Sequence, residues 1–303
     1  MIDLHIHTIH SDGSKTITEI LIEAEKRGIK YLSITDHNNI DVYDELKTID
    51  IKKYYSGNII IGCEFNTSFK GQGIEVLGYS FDHDIIKDFL NKRNTPEKRK
   101  ERAQGLFNNC MKIFNDLGII YDSEILKYDG FPFIGRAYQE IIKHESNVAK
   151  INEDIFGSLQ DFVRKGVFNP NSKIFLNHAA LLPSLEEIIN LIHSAGGVVF
   201  LAHPFEYNLP NLEETISELF DNYSIDGIEA FYTTNTEEQT KQILEFANER
   251  KLLICGGSDS HGENKKDHEI GVGAGNLNIS SEILENWPID LIWEDKQPFS
   301  KNH

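Results

Sequence analysis

Ser184-Leu185-Glu186-Glu187-Ile188-Ile189-Asn190-Leu191-Ile192-His193-Ser194-Ala195-Gly196-Gly197-Val198-Val199-Phe200-Leu201-Ala202-His203-Pro204 holds the plan of the fold in one stretch. Ser184 with Glu187 three residues later marks a helix start. Ile188, Ile189, Ile192 and Ala195 share one helical face, and Gly196-Gly197 ends the helix. Val198 to Ala202 is then an unbroken apolar run of strand length, as expected of a strand buried on both faces. His203 follows at once. Parallel α/β sheets build their sites at this rim, where the carboxyl ends of the strands and their loops converge.

The same rhythm runs outward in both directions. Ile2 to Ile6, Lys30 to Thr35, Asn58 to Glu64 and Ile74 to Phe81 read as strands on the amino-terminal side. Thr16-Ile17-Thr18-Glu19 resembles a capping box, with Ile17, Ile20, Leu21 and Ala24 on one face and Gly28 as the stop. Downstream, Asp226 to Tyr232 is strand-like, a helix capped by Thr236 and Gln239 follows, and Leu252 to Cys255 is apolar again. This alternation predicts an α/β fold with a parallel sheet, open or closed into a barrel. Between about 86 and 180 the rhythm fails. Lys92 to Lys100 is charged and contains Pro96, a long helix runs through Leu106, Cys110, Phe114 and Leu117 to Gly118, and helical patterning returns around Ile134–His144 and Ile155–Arg164. The expected organisation is a discontinuous barrel, 1–85 and 181–285, a mostly helical insertion, 86–180, capping the rim, and a tail, 286–303.

Of the 303 residues 40% are hydrophobic, enough for a core, and the formal net charge is −18. Such a chain repels long nucleic acid unless a local basic patch or bound metal compensates. Its three cysteines, Cys63, Cys110 and Cys255, are far apart, and apolar surroundings suit reduced thiols at Cys63 and Cys255. The sequence starts straight into Ile2-Asp3-Leu4, and no apolar run nears the ~20 residues of a membrane span. A soluble cytoplasmic protein without a membrane partner is the expectation.

Histidines and carboxylates gather at strand ends in five places: His5 and His7 with Asp12 close behind, Asp36-His37, Glu64, His203, and Asp259 with His261. Imidazole and carboxylate hold divalent transition metals without sulfur. These groups are too many for one ion, so two or three ions share the pocket, which points to hydrolysis of a phosphate ester. One residue apart on a strand, His5 and His7 point to one face, roughly 7 Å apart at Cα. An oxygen shared between ions loses proton affinity, so a metal-bridging hydroxide is the expected nucleophile. His193 reads as packing, and His10, His144, His268 and His303 as solvated.

In order, these motifs resemble the polymerase and histidinol phosphatase (PHP) superfamily, most closely its bacterial phosphoesterases acting on small nucleotides and short oligonucleotides. The resemblance covers residues 1 to about 80 and about 180 to 275. It implies a distorted (β/α)7 barrel holding three divalent ions. Carried over residue by residue, it assigns one ion to His5, His7, Glu64 and Asp259, a second to Glu64, His203 and Glu75, and a third to Asp12, His37 and His261. Glu75 stands where the family commonly has histidine; it can ligate through oxygen, or it is a surface strand residue and the second ion is weakened or supported by His83. Asp36 is expected to orient a ligand from behind. In the insertion, Phe133-Ile134-Gly135-Arg136-Ala137-Tyr138 is similar to a Gly-Arg-Pro-His stretch of these enzymes, which implies a phosphate contact at Arg136, whose planar fork suits one. Asn235, where relatives often carry histidine, and His178 complete the expected substrate contacts.

The implied activity is metal-dependent hydrolysis of a small nucleotide or short oligonucleotide, with Mn²⁺ first among the ions and Fe²⁺ or Zn²⁺ open. The expected partner is a small phosphorylated substrate, with no long nucleic acid. A histidinol-phosphate-type phosphatase, a 5′→3′ exoribonuclease on short RNA, and a degenerate metal-binding module without activity are the alternatives.

Overall fold

A computed structural model describes residues 1–129, 133–151, 153–169, 171–207 and 211–287. The chain divides into two compact units, one of Met1–Thr67, Ile74–Leu90 and Pro183–His303, the other of Ser68–Gly73 and Asn91–Leu182.

The first unit is built on a seven-stranded sheet in chain order: β1 (Ile2–Asp3), β2 (Tyr31–Ile34), β3 (Asn58–Phe69), β4 (Gln72–Tyr79), β5 (Val198–Leu201), β6 (Gly227–Tyr232) and β7 (Leu253–Gly257). The two ends meet: Leu4 N donates to Gly256 O at 3.1 Å and Asp259 N to His5 O at 2.8 Å, so the sheet curls round into a barrel. β1–β2, β2–β3, β5–β6 and β6–β7 pair in parallel, but β4 and β5 are antiparallel. This departs from the expected parallel sheet, and the cause is local. Lys70 and Gly71, at φ 48° and 77°, form a two-residue turn between β3 and β4, whereas a parallel return needs a crossover of a dozen or more residues.

Helices α1 (Ile17–Lys26), α2 (Asp41–Leu46) and α3 (His83–Arg93) follow the early strands. Thr16 and Glu19 close the capping box on α1, and Gly28 past its end takes φ +68°. The second unit holds α4 (Pro96–Asp116), α5 (Ile134–Ile141), α6 (Glu145–Ile151) and α7 (Leu159–Asp161). α4 starts earlier than its charged first turns suggest. Thr95 accepts from Lys98 N and Pro96 occupies the first position, where a missing N–H costs nothing. This unit has its own core of Phe107, Cys110, Phe114, Ile141, Phe162 and Leu176.

Back in the first unit come α8 (Leu185–Ser194), capped by Ser184, α9 (Leu212–Asn222), and α10 (Glu237–Arg250), whose capping box is Thr236 and Gln239. Inside the barrel Leu4, Ile60, Leu77, Phe200 and Cys255 pack together. Trp287, which the sequence leaves in the tail, is buried there too: its ring lies 4.7 Å from that of Phe200 and its indole N–H donates to Ile254 O. The rest of the tail, 288–303, lies outside the described residues. All three cysteines are free and buried. Among the described residues no helix is long and apolar enough to cross a membrane.

Candidate metal centre

The seam between β1 and β7 builds the site. Asp3, fully buried, accepts from His5 N, Ser258 N, Ser258 Oγ and Gly271 N, tying the exit of β7 to the exit of β1. Burial raises the Asp3 pKa despite these bonds, which lower it. Gly257 lets the two chains touch, because a Cβ there would stand 2.4 Å from His5 N. Beyond it Asp259 sits at φ 53°, and His203, past β5, at φ 20°, conformations that side chains other than glycine rarely take.

Three groups of ligand atoms result. His5 and His7 each bring Nε2 to 3.2 Å from Glu64 Oε2, and Asp259 Oδ1 lies 3.5 Å from His5 Nε2 and 3.2 Å from His7 Nε2. The second group surrounds Asp12, whose oxygens lie 3.5 Å from His7 Nδ1, 3.7 Å from His37 Nε2 and 3.2 Å from His261 Nε2. In the third, His37 Nδ1 is 3.2 Å from Glu64 and 3.6 Å from Glu75, while His203 Nε2 stands 2.9 Å from Glu64 and 3.4 Å from Glu75. Eight of the nine expected ligands fall in these groups, with Glu64, His7 and His37 each shared by two, and His203 joins through Glu64 and Glu75. The Glu75 carboxylate faces His37 and His203, whereas the alternative supporter His83 pairs with Asp84 and Asp44.

Do these residues fit divalent cations? The Nε2 atoms of His5, His7 and His261 are buried and make no hydrogen bond among the described residues, although each faces a carboxylate oxygen at 3.2 Å. Nitrogen and oxygen lone pairs that converge without bonding each other fit a shared cation. Charge agrees. Burial lowers the pKa of His7 and His203, yet Asp259 and Glu64 beside His7, and Glu64 and Glu75 beside His203, outweigh it and lift both to about 9. Burial pushes Glu64 and Asp259 up, but His5 and the other cations hold both well below the carboxylate range. Asp12 is likewise held down, against burial, by His261 and its neighbours. Glu75 is raised, first by burial and then by Glu64.

Several supporting residues escape sequence reasoning. Glu229 on β6 is fully buried; its Oε1 lies 2.9 Å from His5 Nδ1, and Oε2 accepts from His203 N at 2.7 Å. One carboxylate thus aligns two ligand segments, and the signal for it was a lone acid in the apolar run Ile228-Glu229-Ala230-Phe231. Tyr232 Oη and Lys265 Nζ both donate to Asp259 Oδ2 at 2.7 Å. Asp36 accepts from Thr8 N, Thr8 Oγ1 and Ser11 Oγ, and Ser11 Oγ is 3.4 Å from His7 Nδ1, so Asp36 steadies the loop of His7 and Asp12 and reaches an imidazole only through Ser11.

Asn235 is buried beyond β6, donates to Ala230 O at 3.3 Å, and leaves Oδ1 without a partner among the described residues. Arg136 lies on α5 in the second unit, paired with Asp129 and donating to Lys127 O. His178 opens a 3-10 turn, His178–Leu181, and its side chain lies outside the described residues. Three histidines read as solvated or packing are instead bonded: His10 to Glu45, His193 to Asp226 and His268 to Ser258 O. His303 lies outside the described residues.

The sequence profile of the PHP domain matches residues 3–261. The chain is 27% identical to a 5′-3′ exoribonuclease of Haemophilus influenzae over 86% of its length and 89% of that protein's. It is 23% identical to a 3′,5′-nucleoside bisphosphate phosphatase of Chromobacterium violaceum, over 89% of this chain and 90% of the other. Among solved structures, a candidate metal-dependent phosphoesterase from Bifidobacterium adolescentis superposes with a TM-score of 0.57 at 23% identity, covering 89% and 91% of the two chains.

Proposed function

The chain belongs to the PHP domain family, and from that premise we propose that it is a metal-dependent phosphoesterase acting on a small nucleotide or a short oligonucleotide, with two or three divalent ions, Mn²⁺ first. The observation that carries this reading is the convergence of three ligand groups through Glu64, His7 and His37. The nucleotide is supported by relatives named for an exoribonuclease and a nucleoside bisphosphate phosphatase.

His5, His7, Glu64 and Asp259 would hold one ion, Asp12, His37 and His261 a second, and Glu64, Glu75 and His203 a third. Bound divalent ions supply Lewis acidity toward phosphoryl oxygens and activation of water at neutral pH. The chain does the rest. Glu229 fixes the His5 ring by accepting a hydrogen bond from its Nδ1–H, so that Nε2 offers a lone pair to the centre. Tyr232 and Lys265 engage one oxygen of Asp259 and leave the other facing His5 and His7.

The test is phosphate release by the purified chain loaded with Mn²⁺, Fe²⁺ or Zn²⁺. The panel is a nucleoside 3′,5′-bisphosphate, a mononucleotide, a short 5′-phosphorylated RNA and histidinol phosphate. A nucleotide should be turned over fastest, with more than one equivalent of metal bound. No turnover on the panel, or preference for histidinol phosphate, would reject the reading.

A further inference from the structure

The second unit carries a cationic cluster that the ligand set does not use. Three of the chain's seven arginines, Arg93, Arg99 and Arg102, fall within ten residues where α3 ends and α4 begins. The chain has 48 acidic residues against 30 basic ones, and three of its other four arginines find them: Arg27 pairs with Glu23 and Glu269, Arg136 with Asp129, Arg250 with Asp221. Arg93, Arg99 and Arg102 make no ion pair among the described residues. Instead backbone and amide oxygens hold two of the forks in place. Arg93 donates to Leu181 O at 2.7 Å, and Arg102 to Arg93 O at 2.8 Å and Asn94 Oδ1 at 3.1 Å.

This arrangement costs stability in two ways. Burial lowers the Arg102 pKa first, and the charges of Arg93 and Arg99 lower it further. Cations on the first turns of α4 also oppose the partial positive charge of the helix start. A bound anion would offset the like-charge part of these costs. A guanidinium has five donors, so the carbonyl contacts leave Arg93 and Arg102 with free N–H groups, and Arg99 is exposed. Arg99 and Arg102, three residues apart, share one face of α4.

We propose that Arg93, Arg99 and Arg102 form a docking site for the phosphates of a short single-stranded oligonucleotide. The proposal rests on the nucleotide phosphoesterase reading, since the anion it selects is the one that activity handles. Fixed arginine forks match phosphate oxygens two at a time, and a patch within an acidic chain gives a strand one place to settle.

The test uses the full chain and a 3′-labelled single-stranded RNA of about ten nucleotides, within the ~4–16 nucleotides that single-strand-binding folds occupy. Binding is read by fluorescence anisotropy on ice at several salt concentrations, with strand integrity checked on a gel. Relative to wild type, R99Q/R102Q should bind on the order of tenfold more weakly, with a salt slope smaller by about one to two, one for each phosphate no longer neutralised. R102K should keep the slope and lose part of the affinity, because charge remains and the fork is gone. If the double variant fails to fold, R99Q alone, at an exposed position, should still weaken binding severalfold. Unchanged affinity and slope in R99Q/R102Q, or in a folded R99Q standing in for it, would overturn the proposal. So would displacement of the RNA by polyglutamate as readily as by polyphosphate. Turnover of a mononucleotide should be the same in wild type and variants; loss of turnover in wild type would sink the function reading while leaving the binding result standing.

Discussion

Glu229 concentrates the logic of the centre in one side chain. Its two oxygens bind His5 Nδ1 and His203 N, so it sets one ligand's ring and another's backbone together. In Glu229→Gln the shape stays while the charge behind His5 is removed. Groups that orient metal ligands are typically worth 10–100-fold in metal affinity or activity, so kcat/KM should fall by about that factor, and metal titration should show weaker occupancy with the fold intact by circular dichroism. A purely structural Glu229 would instead lower the melting temperature and leave metal affinity alone. His5→Ala and Asp259→Asn remove ligands outright, and each should abolish phosphate release while the chain stays folded; wild-type-like release by either would contradict the assignment. Most of the nine candidate ligands were legible because they stand in or just past a short apolar run, whereas Glu75, inside a strand, was placed only by the order of the family's motifs. Glu229, Tyr232 and Lys265 were not, since a buried acid or tyrosine within a strand reads as packing until its partner, far away in sequence, is known.

At the scale of elements, boundaries depend on caps and turns. The capping residues Thr16, Ser184 and Thr236 placed α1, α8 and α10 to within a residue or two. α2 and α9 went unmarked: Ile40 has no side chain that can cap, and Asn211, three residues before Glu214, makes no cap bond and donates from Nδ2 to Glu214 Oε2 instead. The reversal of β4 was hidden because apolar periodicity gives a strand no direction; the Lys70–Gly71 turn decides that. Register at the seam is tighter than any pattern could reveal. A Cβ on Gly257 would stand 2.4 Å from His5 N and 2.6 Å from His5 Cβ, both parts of the chain that carries a ligand. Gly257→Ala should therefore push β7 away from His5, destabilise the chain by about 1–3 kcal/mol through overpacking, and reduce metal occupancy more than stability alone explains. Urea unfolding and metal analysis on the same sample separate the two effects, and normal metal content in a destabilised variant would show that the close approach serves packing only.

For the whole molecule, the centre links proton, metal and fold. With no cation bound, carboxylate charge is balanced by protons on imidazoles, and His7 and His203 hold theirs up to about pH 9 against an ordinary value of 6.5. A raised folded pKa gives stability that is complete below pH 6.5 and is lost as pH climbs through about 9. Glu64 and Asp259, held low, act in the opposite sense: their contribution is complete above the ordinary carboxylate range and is lost only in acid. The chelated chain should therefore melt at progressively lower temperature between pH 6.5 and about 9. A divalent cation competes with those imidazole protons, so its binding releases protons and strengthens as pH rises. Stabilisation by a ligand specific to the folded state grows with its affinity, so the gap in melting temperature between Mn²⁺-loaded and chelated protein should widen over the same interval. Thermal melts in parallel series with Mn²⁺ and with chelator would read both trends, and proton release on adding Mn²⁺ near pH 7 in weak buffer would confirm the exchange. A gap that narrows with pH, or metal uptake that releases no protons, would mean that the imidazoles are already neutral in the free chain and that the carboxylates alone draw the ions in.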